Sequence, residues 1–365
     1  MASAIARLHH FGQSPWYDNL TRTFVLGGGL ASMIADDGIR GVTSNPTILE
    51  KALAAGEGYD EQLADLARAG MATDEIYWEL VLADIGAAAD VLRPVHDATH
   101  GADGFVSVEV APNRAHDTGA TVEQAAWLHG RLARPNVLVK IPATLEGLPA
   151  IEATIGAGIS VNVTLIFSLG RYDAVIEHYL KGLEQLVASG GDPSSVASVA
   201  SFFVSRVDTE ADRRLADDSP LRGKVAVANA KVAYQRFLER FAGPRWDALA
   251  AKGARLQRPL WASTSTKNPA YSDTLYVDEL VGPDTVNTLA QGSIDALRDH
   301  GDPKPDTITA DVADALAVIT GLADAGVDYD DVTATIEREG VASFAGSYAD
   351  GIATLDKRAK ELLAP

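Results

Sequence analysis

The sequence predicts an α/β fold, a single TIM (β/α)8 barrel with additional peripheral and C-terminal helices. Eight short apolar runs alternate with longer stretches in which apolar residues recur every three or four positions. This alternation is typical of parallel strands joined by helical crossovers. No linker rich in proline, glycine or serine divides the 365 residues. We therefore expect one domain over residues 1–365, with its core at about 14–300 and a C-terminal helical extension at 301–365.

The strands are predicted from runs rich in apolar and β-branched residues. Most connections between them carry helical patterns; RYDAVIEHYLKGLEQLVA, for example, follows the fifth strand. An apolar stripe of this kind fits a helix that packs on the outside of a barrel. In chain order the predicted strands cover residues 14–18, 39–45, 104–110, 136–142, 159–167, 198–206, 259–264 and 284–290.

The chain is longer than a minimal barrel requires. The excess lies in residues 46–103, in residues 207–258, and in residues 308–363, which show helical patterns broken at AGVDYDD. We expect these helices to be peripheral. A doubly wound open sheet is the competing architecture, but GGG at 27–29 lacks the full G-x-G-x-x-G phosphate-binding pattern.

Composition excludes several functional classes. Lys and Arg total 31 against 50 Asp and Glu, a formal charge of −19, which disfavours a nucleic-acid-binding surface. The absence of cysteine from the sequence excludes disulfides, thiolate zinc sites and a cysteine nucleophile. The N-terminal residues show no apolar signal-peptide segment, and no window has the length of a membrane span. We therefore expect a cytoplasmic protein without membrane partners.

No metal site is predicted either. The histidines of HDATH, His96 and His100, have a ligand-like spacing, but no glutamate follows the first of them. The aspartates of DYDD lack the rest of a calcium loop and indicate a turn. The sequence leaves the oligomeric state open between monomer and homodimer.

Polar residues end nearly every predicted strand, which is where a barrel carries its catalytic groups. Lys140, at the end of VLVKIPA, is the most informative. A buried ammonium must find a carboxylate or lose its charge and become a nucleophile. For this segment alone, a lysine extending to solvent is an equal alternative, but the polar residues around the barrel favour catalysis. They are Asp18, Asn45, Glu109, Asn162, Thr164, Ser201, Arg206, Ser263 and Lys267.

Six motifs follow one another along the chain: TSNPT (43–47), SVEV (107–110), VKIPAT (139–144), ISVNVTLIFS (159–168), SFFVSRVD (201–208) and WASTSTKNP (261–269). In this order they resemble the transaldolase family. The resemblance extends from Asp18 to about Thr288, and the C-terminal helices are similar to those of the bacterial, actinobacterial-like branch. It implies a barrel transferase of the pentose phosphate pathway that needs no cofactor and uses ketose and aldose phosphates as substrates.

The resemblance also implies roles for individual residues. Lys140 matches the lysine that forms a Schiff base with the ketose, and Asp18 matches the general acid/base. Glu109 and Thr164 match the pair that holds a catalytic water. Substrate hydroxyls would be bound by Asn45, Asn162 and Ser201, and the phosphate by Arg206 and Ser263. Phe203 also belongs to the expected substrate-binding set.

One position departs from the family pattern. Many transaldolases have an arginine where this chain has Ser265, so we infer that Lys267 supplies the second phosphate-binding charge. A lysine binds phosphate as a point charge, whereas an arginine can donate two parallel hydrogen bonds to it. The alternative is that Lys267 is a solvated loop residue.

The resemblance implies transfer of a dihydroxyacetone unit from sedoheptulose 7-phosphate to glyceraldehyde 3-phosphate, which gives erythrose 4-phosphate and fructose 6-phosphate. One alternative is a fructose-6-phosphate aldolase that releases free dihydroxyacetone. Chain length and Phe203, which has no phenolic proton to offer the enamine, are unfavourable to it. Another alternative is a barrel that binds sugar phosphates without catalysis, which would require loss of the lysine or its carboxylates.

Overall fold

The computed structural model describes residues 3–364, so the outermost positions of the predicted domain, residues 1–2 and 365, lie outside the described residues. Eight parallel strands form a closed barrel in chain order, with β8 pairing with β1. This confirms the predicted fold class. The strands are Gln13–Tyr17 (β1), Gly41–Val42 (β2), Phe105–Glu109 (β3), Val137–Pro142 (β4), Val161–Ile166 (β5), Ser198–Phe203 (β6), Gln257–Ala262 (β7) and Thr285–Leu289 (β8).

Each predicted strand overlaps an observed one, but two bounds differ in ways that affect the site. The second strand is only Gly41–Val42, because the chain turns at Thr43 toward a helix that Asn45 caps. The prediction that Arg206 ends the sixth strand is wrong. That strand ends at Phe203, and a helix begins two residues later, at Ser205.

Nearly all side chains of the strands are buried on both faces of the sheet, as is typical of a parallel sheet that helices cover. The near-continuous apolar runs of the sequence suit this environment. Register places the C-terminal residues of neighbouring strands side by side. Glu109 pairs with Lys140, and Lys140 with Asn162. A lysine, a carboxylate and an amide therefore lie in adjacent positions near one end of the barrel.

Helices surround the barrel. They are Ala4–His10 (α1), Arg22–Leu26 (α2), Gly29–Asp36 (α3), Pro46–Ala55 (α4), Asp60–Arg68 (α5), Thr73–Ala98 (α6), Thr118–Leu132 (α7), Gly147–Gly156 (α8), Leu169–Ala188 (α9), Ser205–Arg214 (α10), Val225–Arg240 (α11), Pro244–Ala250 (α12), Leu275–Asp278 (α13), Gln291–His300 (α14), Val312–Asp324 (α15) and Tyr329–Leu363 (α16). Short 3-10 turns lie at Pro112–Arg114, Pro193–Ser195 and Thr307–Thr309. Within residues 3–364, none of the helices is both long and apolar enough to cross a membrane.

The helix α16 is the longest, with 35 residues. It begins where the sequence predicts a break, because the Asp328 side chain accepts hydrogen bonds from the backbone N–H groups of Asp330 and Asp331. It packs along α4, where the hydroxyls of Thr47 and Ser347 lie 2.8 Å apart. The prediction of peripheral helices is thus incomplete, since α16 reaches the C-terminal end of the barrel.

Candidate active site

A cavity of about 420 Å³ opens at the C-terminal ends of the strands. Its volume suits a sugar phosphate, since small-molecule sites usually measure a few hundred cubic ångströms. Nine of the residues singled out from the sequence line it: Asp18, Asn45, Lys140, Thr164, Ser201, Phe203, Arg206, Ser263 and Lys267. Glu109 and Asn162 do not line the cavity themselves. Each contacts a residue that does: Glu109 contacts Lys140, and Asn162 contacts Ser201.

Lys140 lies at the base of this cavity with only 6% of its side chain exposed. Its Nζ is 3.2 Å from Glu109 Oε2 and donates a hydrogen bond of 3.2 Å to the backbone carbonyl of Ser44. The ring of Phe344, from α16, has its centroid 5.9 Å from the same nitrogen. The amine is therefore held by a carboxylate and a carbonyl in a site that an aromatic ring shields from water.

Glu109 is the last residue of β3 and is also buried. Burial raises its pKa, the charge of Lys140 opposes that rise, and the carboxylate of Asp18 adds to it. Its Oε2 has no well-directed hydrogen-bond partner among residues 3–364, so the contact with Lys140 is chiefly electrostatic. A carboxyl with a raised pKa beside an amine is suited to proton exchange with that amine.

Asp18 follows β1 directly and is partly exposed to the cavity. Its Oδ1 accepts a hydrogen bond of 2.7 Å from the Thr43 hydroxyl. Burial raises the pKa of Asp18, while this hydrogen bond and the charges of Lys140 and Lys267 act in the opposite direction. A second carboxyl therefore faces the cavity with a pKa above its ordinary value, as a general acid/base requires.

Thr164 lies on β5 in a distorted part of the barrel. Pairing between β5 and β6 shifts register between Val163 and Ile166, and Leu165 has a φ of 58°. A bulky residue in the left-handed region is strained, and such strain tends to occur at functional sites. The buried hydroxyl oxygen of Thr164 has no hydrogen-bond partner in the described part of the chain. Thr164 lines the cavity, and its hydroxyl has hydrogen-bonding capacity that no described residue uses.

Of the three residues predicted to bind substrate hydroxyls, Asn45 and Ser201 line the cavity and Asn162 lies behind it. Asn45 caps α4 by accepting a hydrogen bond of 3.0 Å from the Ile48 N–H, which leaves its NH2 group available to the cavity. Asn162 is fully buried; it donates to Ser107 Oγ at 2.9 Å and accepts from Ser201 Oγ at 2.7 Å. Ser201 reaches the cavity and Asn162 orients it from behind.

A positively charged side of the cavity is formed by the segments that follow β6 and β7. The guanidinium of Arg206, on α10, lies 5.4 Å from the centroid of the Phe203 ring. Burial lowers the pKa of Arg206, and the charge of Glu339 opposes this change. Its guanidinium forms no ion pair or hydrogen bond within residues 3–364. Lys267 is exposed and lines the same cavity.

Ser263 joins these two segments. It has a φ of 57°, its hydroxyl lies 2.9 Å from that of Ser205, and its carbonyl accepts from the Ser205 N–H at 3.0 Å. Ser265, at the position where the resemblance expects an arginine, lies outside the lining and pairs with Ser293 at 3.1 Å. Beside Arg206, the second positive charge on this side of the cavity is therefore that of Lys267.

The loop that carries Lys267 is tied to α10 by two tyrosine–aspartate contacts. The Tyr271 hydroxyl donates to Asp212 at 2.6 Å, and the Tyr276 hydroxyl donates to Asp208 at 2.8 Å. Burial raises the pKa of Asp208 to about 6. These contacts hold Lys267 on the same rigid unit as the helix of Arg206.

Eight cavity residues were not identified from the sequence: Thr43, Thr47, Ile48, Lys51, Ala262, Thr288, Ser343 and Phe344. Thr43 and Thr47 lie within a recognised motif, and Lys51 follows Thr47 by one helical turn, so local spacing could have indicated them. Ser343 and Phe344 come from α16, and no local signal places that helix over the cavity. Among residues 3–364, no group of three or more His, Asp or Glu side chains is arranged to hold a metal ion.

The comparisons with known proteins agree with this geometry. The family described as Transaldolase/Fructose-6-phosphate aldolase matches residues 15–355. Transaldolase 1 of Streptomyces avermitilis is 53% identical over 351 residues, covering 95% of this chain and 93% of that protein. The transaldolase of Acidothermus cellulolyticus is 52% identical over 354 residues, with 96% and 95% covered. The transaldolase of Thermobifida fusca is 50% identical over 369 residues and the match covers both chains completely. The chain therefore belongs to the transaldolase/fructose-6-phosphate aldolase family.

Proposed function

We propose that this protein is a transaldolase. It transfers a dihydroxyacetone unit from sedoheptulose 7-phosphate to glyceraldehyde 3-phosphate and thereby forms erythrose 4-phosphate and fructose 6-phosphate. The observation that carries this proposal is the buried Lys140 beside Glu109, in one cavity with Asp18 and the charges of Arg206 and Lys267. We propose that it acts in the pentose phosphate pathway and, as the composition predicts, in the cytoplasm.

The first step is Schiff-base formation. Glu109 takes a proton from the ammonium of Lys140, the resulting neutral amine adds to the ketose carbonyl carbon, C2, and the carbonyl oxygen takes up a proton to give a carbinolamine. Loss of water then gives an iminium ion. Both steps move protons at Nζ and at the departing oxygen, and Glu109 lies 3.2 Å from that nitrogen. Glu109 and Thr164, through a water between them, supply and remove these protons.

Carbon–carbon cleavage follows. Asp18 removes the proton from the C4 hydroxyl, the C4–O bond becomes a carbonyl, and the C3–C4 bond breaks. Its electron pair flows into the iminium and forms an enamine on Lys140. The aldose phosphate leaves, the enamine carbon attacks the aldehyde of the acceptor, and Asp18 returns its proton to the new hydroxyl. Hydrolysis of the iminium then releases the product ketose.

Substrate orientation comes from the remaining cavity residues. Asn45 and Ser201 hydrogen-bond the hydroxyls of the dihydroxyacetone unit, and Asn162 acts by orienting Ser201. The phosphate binds Arg206, Ser263 and Lys267, which line the same cavity as Lys140, and acts as an anchor. Its binding energy holds the acceptor aldehyde against the enamine, which favours transfer over release of free dihydroxyacetone.

Trapping the intermediate tests the proposal. The protein is incubated with fructose 6-phosphate, reduced with borohydride and mapped by peptide mass, with and without erythrose 4-phosphate. We expect a dihydroxyacetone-sized adduct on Lys140 that the acceptor discharges into sedoheptulose 7-phosphate. Lys231 is a matched control, since it is equally buried and also paired with a carboxylate, but lies outside the cavity. Lys140→Met should abolish the adduct and Lys231→Met should retain it.

Two results would contradict the proposal. Discharge by water into free dihydroxyacetone, with no transfer to erythrose 4-phosphate, would indicate an aldolase. No adduct with any ketose phosphate would leave a barrel that binds sugar phosphates without catalysis.

A further inference from the structure

Lys51 is a cavity residue to which the proposed reaction gives no role. It lies on α4 and shares the helix face of Thr47 and Ile48, four and three residues earlier. All three line the cavity that contains Lys140. The side chain of Lys51 is exposed, so its ammonium is at the rim and not at the base.

This ammonium has no carboxylate partner within ion-pair distance in the described part of the chain. That is notable for a chain with 50 acidic and 31 basic residues and a formal charge of −19. Most exposed lysines that lack a partner are only solvated. Lys51 differs because its charge borders the cavity through which a phosphorylated sugar must enter.

Barrel topology places Lys51 across the cavity from the proposed phosphate site. The eight strands close in chain order, so β2 and β6 are four positions apart and lie on opposite sides. Lys51 is on the helix that follows β2, whereas Arg206 is on the helix that follows β6. Lys267, in the loop after β7, lies on the Arg206 side. The rim thus carries positive charge on both sides of its opening.

We propose that Lys51 is a recruiting residue for sugar phosphates, which attracts the phosphate dianion to the rim before Arg206, Ser263 and Lys267 bind it. This inference rests on the proposed function. An acidic protein repels a dianion at long range, and a few uncompensated cations around a cleft reverse the local field and concentrate the anion there. A rim charge of this kind changes the association rate and its salt dependence more than the chemical step.

The test compares Lys51→Gln, Lys51→Glu and the wild-type protein with two acceptors, D-glyceraldehyde 3-phosphate and unphosphorylated D-glyceraldehyde. At low ionic strength we expect kcat/KM for the phosphorylated acceptor to fall by about threefold in K51Q and about tenfold in K51E. kcat should be unchanged. The difference should vanish near 1 M salt, where the screening length is only about 3 Å. The unphosphorylated acceptor should show no change.

Lys252 provides the matched control. It is exposed, has no ion pair among residues 3–364, and lies before β7, at the opposite end of the barrel from the cavity. K252Q removes the same charge from the molecule and should leave kcat/KM unchanged. An equal loss in K51Q and K252Q would overturn the proposal. So would an equal effect on both acceptors, or an effect that persists in high salt.

Binding of glycerol 3-phosphate, measured by calorimetry, separates failure of this inference from failure of the proposed function. This ligand carries a phosphate but no carbonyl, so it binds without reacting. We expect its Kd at low ionic strength to rise by about threefold in K51Q and to stay unchanged in K252Q. If the protein has no transaldolase activity but still shows this shift in Kd, the proposed function fails and the recruiting role of Lys51 stands. An unchanged Kd in K51Q would remove that role, whatever the activity.

Discussion

Replacing Lys140 by methionine should destabilise the fold in a strongly pH-dependent way. The substitution keeps most of the apolar volume and removes the ammonium 3.2 Å from Glu109, whose side chain is only 5% exposed. At that separation, the attraction is about 5 kcal/mol for an effective dielectric constant of about 20. Removing one member of a buried pair typically costs about 3–5 kcal/mol, because the remaining charge stays desolvated. We expect a loss of that size near pH 8.

The loss should shrink at lower pH. Burial already raises the pKa of Glu109 above its ordinary value of 4.5, and the charge of Lys140 opposes the rise. Without that charge, the folded-state pKa moves further upward. Between the unfolded and folded pKa values the folded protein binds more protons, so its free energy of unfolding falls as pH rises, by up to about 1.4 kcal/mol per pH unit. As the pH falls and the carboxyl of the variant takes up a proton, the penalty should become small.

Urea unfolding followed by tryptophan fluorescence at about pH 5 and about pH 8 measures both effects. The double variant Lys140→Met/Glu109→Gln should recover most of the stability at the higher pH, because no uncompensated charge remains. Lys231→Met is the matched control; its partner, Glu279, is 44% exposed and stays hydrated alone, so this variant should show no added pH dependence. A Lys140→Met protein that is equally destabilised at both pH values would refute the reasoning.

Three further substitutions affect stability, substrate binding and catalysis respectively. Tyr276→Phe removes the hydrogen bond to Asp208, whose pKa is about 6, and should cost about 1–3 kcal/mol in the free energy of unfolding, more at pH 8 than at pH 5. Thermal unfolding at both pH values measures it. Gly340→Val should raise KM for fructose 6-phosphate by about tenfold, since an added Cβ already lies 3.1 Å from Leu165 Cδ2 and 3.4 Å from Arg206 Nη1, and the valine methyl groups extend beyond it; steady-state kinetics measure it. Thr164→Val should lower kcat roughly a hundredfold with little change in Tm, because the hydroxyl has no partner among residues 3–364.

Each of these would be contradicted by a specific result. Equal destabilisation of Tyr276→Phe at both pH values would mean that the charge state of Asp208 does not matter. A Gly340→Val protein with normal KM would show that α16 moves freely away from Arg206. A Thr164→Val protein with full kcat would remove that hydroxyl from the mechanism, whereas a large drop in Tm would assign it a structural role.

The sequence predicts the barrel well because the patterns that indicate each strand and helix lie within short segments of the chain. Lys140 and Glu109 end apolar strands, and in a parallel barrel all such ends meet at one edge, so their proximity follows from topology alone. The end of β6 was harder to predict. SFFVSR continues an apolar run, and nothing in the run shows that a helix starts at Ser205 and carries Arg206 into a different position.

The rest of the site depends on tertiary contacts. The Asn162 amide is engaged by Ser107 and Ser201, a pairing that alternation of side chains on one strand cannot reveal. Ser343 and Phe344 belong to a helix whose amphipathic pattern predicts only that it packs somewhere. Their position over Lys140 depends on long-range contacts such as that between Thr47 and Ser347.

The placement of Phe344 on α16 also has a consequence for the order of biosynthesis. A ribosome adds the residues between Lys140 and Phe344 over roughly ten to forty seconds, and N-terminal elements fold first. During that interval the nascent barrel has its reactive lysine but lacks the aromatic side chain that shields it. Cellular aldehydes then have a wider path to Lys140 than in the finished chain, where Phe344 lines the cavity that leads to it. The vulnerable period ends only when α16 emerges and packs along α4.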